Sequence, residues 1–290
     1  MLKGIRSLIL ERFHPASYLP MIFVFTLANG LYFKLPDQEF PLIPFLGALL
    51  LMLSAFFRLR LFDEIKDYQV DLKINPTRPL ARGIISISQV KKIIGLLIFL
   101  EMLLTLSMDQ NIFLIHTLAI AYSLLMYEEF FIGDWLSPKL TLYAVTHTIS
   151  SSFLGVSAAV FIAHTTTLNL AGNTVLFFIF NWAFFNLFEF SRKTYSMDEE
   201  RKGVDTYSSL YGPWRAAFLS FSQVVFGLLV IIYALGIHQN FNLICLSAVY
   251  TIFLFLYAIQ PTQKNAKLLR TTTGIYLILF YSLLAWNLWS

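Results

Sequence analysis

Apolar residues run through the chain in long blocks separated by short polar stretches. Nine such blocks lie near residues 18–34, 42–62, 87–107, 111–127, 140–163, 173–190, 214–236, 241–260 and 271–289. Each is roughly 17–25 residues and mostly apolar, the length a helix needs to cross a bilayer's hydrocarbon layer. The pattern predicts an all-α membrane protein: about nine transmembrane helices in one bundle around a central cavity, a single domain over residues 1–290. Its two long polar breaks lie near 63–86 and 190–213. The start, MLKGIRSLILERFHP, alternates basic and apolar residues without a small-residue cleavage site, and reads as an interfacial lead-in to the first span.

Composition agrees. The chain is 57% hydrophobic and 13% charged, with 29 Phe, which leaves too little polar surface for a water-soluble fold of this length. A pI near 9.0 needs only a few loop Lys and Arg on a carboxylate-poor chain, and does not call for nucleic acid. The single Cys245 lies in an apolar run and has no disulfide partner in the chain. With the N-terminus inside, every Lys and Arg except Lys34 falls on the cytoplasmic side, as the positive-inside rule requires. Both long polar loops then face the cytoplasm in a multi-pass protein of the cell membrane.

The first loop, DEIKDYQVDLKINPTRPLAR from Asp63 to Arg82, carries the most informative chemistry. If the preceding helix continues, Asp63, Asp67 and Asp71 stack at i, i+4 and i+8 with Glu64 beside them. Like charges at that spacing oppose a helix unless a cation neutralises them. Mg²⁺ suits carboxylate oxygens and binds through one or two of them together with substrate phosphates. Lys73, Arg78 and Arg82 supply cations for the remaining phosphate oxygens. The physical reading is a Mg²⁺–diphosphate site at a membrane surface; the plain alternative is a solvated mixed-charge loop.

Arg58, near the inner end of its apolar helix, should face the bundle interior, as should Asn186 and Glu189. In the second loop Arg192 and Lys193 are candidate cations, and Asp198, Glu199 and Asp205 candidate ligands of a second metal. Glu200, Arg201 and Lys202 read as a solvated charged run. Between the two loops, Lys139 either reaches a phosphate from the side or forms an interfacial anchor with Trp135. His116 reads as a packing residue, and His147 as either that or an orienting group for an acceptor. The sequence AFFRL at Ala55–Leu59 is echoed by AFFNL at Ala183–Leu187, a trace of duplication or a coincidence in a Phe-rich chain. Zinc-type His-Cys spacing, a Walker loop and a Gly-x-Ser-x-Gly elbow are absent from the sequence.

In these residues the chain resembles the UbiA superfamily of intramembrane aromatic and lipid prenyltransferases. The family's first signature, Asn-Asp-x-x-Asp-x-x-x-Asp followed by Arg-Pro-Leu and a small residue–Gly step, is matched by Asp63-Glu64-Ile65-Lys66-Asp67-Tyr68-Gln69-Val70-Asp71. Arg78-Pro79-Leu80-Ala81-Arg82-Gly83 then follows, and Asp-Glu stands in place of Asn-Asp. The step from Asp71 to Arg78, with Asn75-Pro76 between, looks like the archaeal lipid-prenylating branch. The second signature departs: where the family usually carries Asp-x-x-x-Asp, the acids come late, at Asp198, Glu199 and Asp205.

The resemblance implies Mg²⁺-dependent transfer of an isoprenyl group from a polyprenyl diphosphate to an aromatic or lipid acceptor. Asp67, Asp71 and Arg78 are implied as catalytic, and Asp63, Glu64, Asp67, Asp71, Glu189 and Asp198 as metal ligands. Arg58, Lys73, Arg82, Lys139, Arg192 and Lys193 are implied as substrate-binding. Cations at the diphosphate draw charge from the allylic C–O bond, and the aromatic interior shields the carbocation. Both charged loops are then expected to meet over one cavity. A terpene cyclase of the same fold, and a non-catalytic lipid transporter or binding protein, are the alternative readings.

Overall fold

The structure is a computed structural model that describes residues 2–33, 39–163, 173–201 and 203–289. Lys34, His164 and Lys202 lie outside the described residues. Among these residues regular structure is entirely helical. In chain order the helices are α1 (Leu2–Arg12), α2 (Pro15–Tyr32), α3 (Leu42–Lys66), α4 (Tyr68–Ile74) and α5 (Ile87–Met108). Next come α6 (Gln110–Tyr127), α7 (Gly133–Leu136), α8 (Leu140–Ala163), α9 (Asn173–Arg192) and α10 (Tyr207–Tyr211). The last are α11 (Pro213–Leu235), α12 (Phe241–Ile259) and α13 (Gln263–Trp289).

Helices thus occupy each of the nine apolar blocks. Seven of them, α3, α6, α8, α9, α11, α12 and α13, are long and apolar enough to cross a membrane. Helix α5 falls outside that set because Lys91, Lys92 and Glu101 interrupt its apolar run. The short helices α4, α7 and α10 add local structure in the polar breaks, and α1 occupies the N-terminal lead-in. Large apolar side chains such as Phe99, Leu118, Phe218 and Ile252 are exposed on the long helices, as lipid-facing surfaces require.

The chain divides into two compact units, Met1–Glu128 with Ser157–Thr166, and Glu129–Val156 with Thr167–Ser290. In the first, α3 packs against α2 and α5, and α5 packs against α6. Helix α5 starts where the first polar loop ends because Ser86 and Gln89 form a reciprocal capping box: Gln89 N–H donates to Ser86 Oγ at 3.2 Å and Ser86 N–H to Gln89 Oε1 at 3.0 Å. Asp109 caps α6 by accepting from Asn111 N–H at 2.7 Å. The interior of this unit holds a buried charged network centred on Glu101.

In the second unit α9 and α11 pack closely, and α12 and α13 complete the layer around them. Gly227 makes that approach possible: a Cβ there would lie 2.4 Å from the Phe184 ring. The core is aromatic, with Phe184 centred 4.5 Å from both Phe180 and Phe280 and Tyr250 stacked on Tyr276 at 4.3 Å. Buried Asn181 and Asn186 each find a partner in this unit. The Tyr281 hydroxyl donates to Asn181 Oδ1 at 2.8 Å, and Thr148 donates to Asn186.

Candidate active site

The first acidic row forms as the spacing predicted, with one adjustment. Helix α3 passes into α4 through Asp67, and the i→i−4 hydrogen bonds run on across the junction: Asp67 N–H to Asp63 O at 2.8 Å, Asp71 N–H to Asp67 O at 2.8 Å, Asn75 N–H to Asp71 O at 2.9 Å. Asp63, Asp67 and Asp71 therefore fall on successive turns of one face. The side chains of Asp63 (51% exposed) and Asp67 (53%) are half-buried, whereas Asp71 is buried.

Helix α4 ends before Pro76, and the chain then turns back on itself. Arg78 N–H donates to Asn75 O at 3.0 Å, Arg82 N–H to Arg78 O at 2.9 Å, and Ile84 N–H to Pro79 O at 3.1 Å. Buried Leu80 and Ile85 pin the turn. Its effect is to bring the Arg78 guanidinium onto the acidic row, where Nη1 hydrogen-bonds Asp71 and lies 3.5 Å from Asp67. Asn75 Nδ2 donates to the other oxygen of Asp71 at 3.1 Å. Desolvation and the adjacent Asp71 carboxylate push the Asp67 carboxyl above its ordinary value, against the pull of Arg78 and Arg60. A further cation at this row would relieve that repulsion.

Other candidates from the sequence sit differently. Glu64 is turned inward, and its Oε1 receives Arg12 Nε and Arg60 Nη2, each at 2.6 Å. Its Oε2 is buried and has no hydrogen-bond partner among the described residues. Arg82, exposed, pairs with Glu11 at 2.6 Å, and Lys73 is exposed on α4. Arg58 is fully buried: its guanidinium meets Glu101 at 3.0 Å and donates to Ser123 Oγ. Ser54 and His116 also contact Glu101, at 2.7 and 3.1 Å, and His116 reaches Ser157 at 2.8 Å. Arg58 thus belongs to an interior network and is turned away from solvent.

Glu101 escaped the sequence reading. The signal was there: a lone carboxylate in mid-span must have a cationic or hydrogen-bonding partner, and Arg58 and His116 are the polar groups of neighbouring spans. His116 is the packing residue expected.

In the second loop Glu189 draws both candidate cations to itself, Arg192 from the next turn and Lys193 at 3.1 Å. Asp198 is exposed in a 3-10 turn at Met197–Glu199. The loop is a built structure. Arg270 donates to Glu199 at 2.6 and 3.1 Å and to Thr194 O at 2.9 Å, and lies 4.5 Å over the Tyr195 ring. Glu200, read as solvated, instead accepts from Thr206 and Ser208. The Tyr257 hydroxyl donates to Tyr195 O at 2.7 Å. Arg270 and Tyr257 lie far along the sequence, so their roles here had no local signal.

Lys139 takes the anchor arrangement. Its Nζ donates to Trp135 O at 2.8 Å and lies 3.4 Å from the centre of the Trp135 ring. Just before it, Glu129, Phe130 and Phe131 run through left-handed backbone at φ 50°, 55° and 58°, a strained path for side-chain-bearing residues. The turn is braced by the Tyr143 hydroxyl on Glu129 at 3.3 Å and by Phe130 edge-on to His147 at 5.8 Å. His147 stacks on Tyr143 and bonds its carbonyl at 2.6 Å.

An acidic row thus runs along the end of a membrane-length helix, with an arginine folded back upon it. The model of the UbiA prenyltransferase family matches residues 18–288, and the chain belongs to that family. It is a prenyltransferase embedded in a membrane. Among solved structures it is similar to one from a study of digeranylgeranylglyceryl phosphate synthase, at 13% identity over 99% of each chain with a TM-score of 0.66. It is also similar to a UbiA homologue from Archaeoglobus fulgidus bound to DMAPP and Mg²⁺, at 15% identity over 93% of this chain and 96% of that one, TM-score 0.57. The same homologue bound to GPP and Mg²⁺ is matched at 16% identity with equal coverage and TM-score. At these identities the likeness is one of fold. No curated protein matches the sequence.

Proposed function

We propose that this protein transfers an isoprenyl group from a polyprenyl diphosphate to an aromatic or lipid acceptor within the membrane, with Mg²⁺ at the first acidic loop. The observation that carries the reading is Arg78 folded onto Asp67 and Asp71. It supplies carboxylates for a hard cation and a forked donor for phosphate oxygens side by side. The Archaeoglobus homologue's complexes with Mg²⁺ and prenyl diphosphates support it.

The donor set fits such a metal in one specific way. Among the described residues no three His, Cys, Asp or Glu side chains gather into a cage. Mg²⁺ does not need one, since it is held by one or two carboxylates with phosphate oxygens and water completing its shell. Half-exposed Asp67 and Asp63 with Asp71 on the next turn are suited to that arrangement. When bound, Mg²⁺ supplies neutralisation of the charge that develops on the leaving diphosphate.

The side chains do the rest. Arg78 grips diphosphate oxygens from its place beside Asp71, and Lys73 on α4 adds a second cation. As the allylic C–O bond breaks, these cations would stabilise the departing negative charge, Arg78 from a position its ion pairs already hold. Glu189, Arg192 and Lys193 form a second polar group at the end of α9, and for them and Asp198 we propose a role in holding phosphate or a second metal. We further propose nine spans in the cell membrane with the N-terminus and both polar loops on the cytoplasmic side; the Lys and Arg distribution supports that orientation.

The test is mass spectrometry of lipid extracts after membranes carrying the protein are incubated with labelled prenyl diphosphates of graded length. A labelled, Mg²⁺-dependent prenylated lipid or aromatic product is expected. Only cyclised hydrocarbon, or no product at any length, contradicts the proposal.

A further inference from the structure

Helix α1 touches both ends of the first polar loop. At its C-terminus Arg12 Nε reaches the buried Glu64 Oε1 at 2.6 Å. One residue earlier, Glu11 Oε1 accepts from Arg82 Nη2 at 2.6 Å, and Ser7 Oγ bonds Glu11 and lies 3.3 Å from the same arginine nitrogen. Near the helix's start Gly4 lies against the loop's exit, where a Cβ would stand 2.7 Å from Ile85 Cβ and 3.1 Å from Ile84 O. Leu8 and Phe13 are buried beneath, with the Phe13 ring 5.3 Å from Phe57 on α3. Glu64 and Arg82 bracket the segment that contains Asp67, Asp71 and Arg78.

Resting on the reading of that segment as the diphosphate site, we propose that α1 is a strap that positions it. Arg12 and Glu11 are its positioning residues, and Glu64 and Arg82 are its anchor points, not ligands of metal or diphosphate. Two guanidiniums already converge on Glu64 Oε1, so its charge is answered from within the protein. Its Oε2 is buried without a partner among the described residues, so removing Arg12 leaves a carboxylate still more poorly satisfied. Arg82 is committed to Glu11 and Ser7 on α1, whereas Arg78 lies on the acidic row itself. With both ends tied to one short helix, the loop loses much of the freedom that would otherwise oppose holding Asp71 and Arg78 together.

The experiment is calorimetric titration of inorganic diphosphate with Mg²⁺ into the full chain in detergent. Arg82→Glu is expected to weaken binding about tenfold, and adding Glu11→Arg to restore it to within about threefold, because reversing both charges keeps the tie. A reversed pair as weak as Arg82→Glu alone makes Arg82 a ligand and overturns the proposal. Arg12→Ala should weaken binding with Arg12→Lys intermediate, and wild-type affinity in Arg12→Ala likewise overturns it. Should Arg12→Ala fail to fold, the exposed Glu11–Arg82 pair still decides. Asp67→Asn separates the two readings. If it binds weakly while the α1 variants are silent, the strap alone fails; if it binds as wild type, the site itself is wrong.

Discussion

The Arg58 guanidinium and the Glu101 carboxylate meet at 3.0 Å with neither group open to solvent. They join α3 to α5, and through His116 and Ser123 to α6, on the same helix whose end carries the acidic row. Breaking a buried pair from one side strands the other charge, which typically costs about 3–5 kcal/mol. Glu101→Ala should therefore lower the thermal unfolding midpoint in detergent markedly. An unchanged midpoint would show that the network contributes nothing to the fold.

The second loop should respond to acid. Burial pushes Glu199 upward, but hydrogen bonds and charge from Arg270 and Ser196 outweigh it and hold the carboxyl below its ordinary value of 4.5. A carboxylate depressed in the folded state contributes stability fully above its unfolded value and loses it as pH falls through the folded one. Stability measured from pH 6 downward should thus fall below about pH 4.5, and Glu199→Gln should flatten that part of the profile. If the variant keeps the full acid loss, the Glu199–Arg270 pair is not its source.

Arg78 should resist conservative replacement. A guanidinium offers two parallel donors to phosphate where an ammonium offers a point charge. Arg78→Lys is expected to weaken inorganic diphosphate binding in the presence of Mg²⁺ by about tenfold despite the retained charge. Equal affinity for wild type and variant would remove Arg78 from the diphosphate site.

The sequence carried the long helices and the acidic row because both are local signals. Apolar blocks set span positions, and the four-residue spacing of Asp63, Asp67 and Asp71 survives in the hydrogen bonds that run through the α3–α4 junction. What it did not carry depends on partners distant in the chain. Glu64 reads from its spacing alone as part of the acidic row, and its bond to Arg12, 52 residues away, has no local signal. Nothing local in the sequence shows that Arg192 and Lys193 both pair with Glu189 one turn back. Arg58 looked like a substrate contact because its partner, Glu101, lies in another helix.

The central claim is that turnover depends on the acidic row, and Asp67→Ala tests it most directly. Wild type and variant are purified to equal yield with matched helical content. Each is incubated with labelled prenyl diphosphate and membrane lipid extract across a Mg²⁺ series, and the labelled product is quantified. Asp67 would act by holding the Mg²⁺ that stabilises the leaving diphosphate, and loss of one such contributor typically lowers the rate on the order of 10²–10³, so the account predicts a fall of that size with the fold intact. Near wild-type, Mg²⁺-dependent turnover by Asp67→Ala would contradict it.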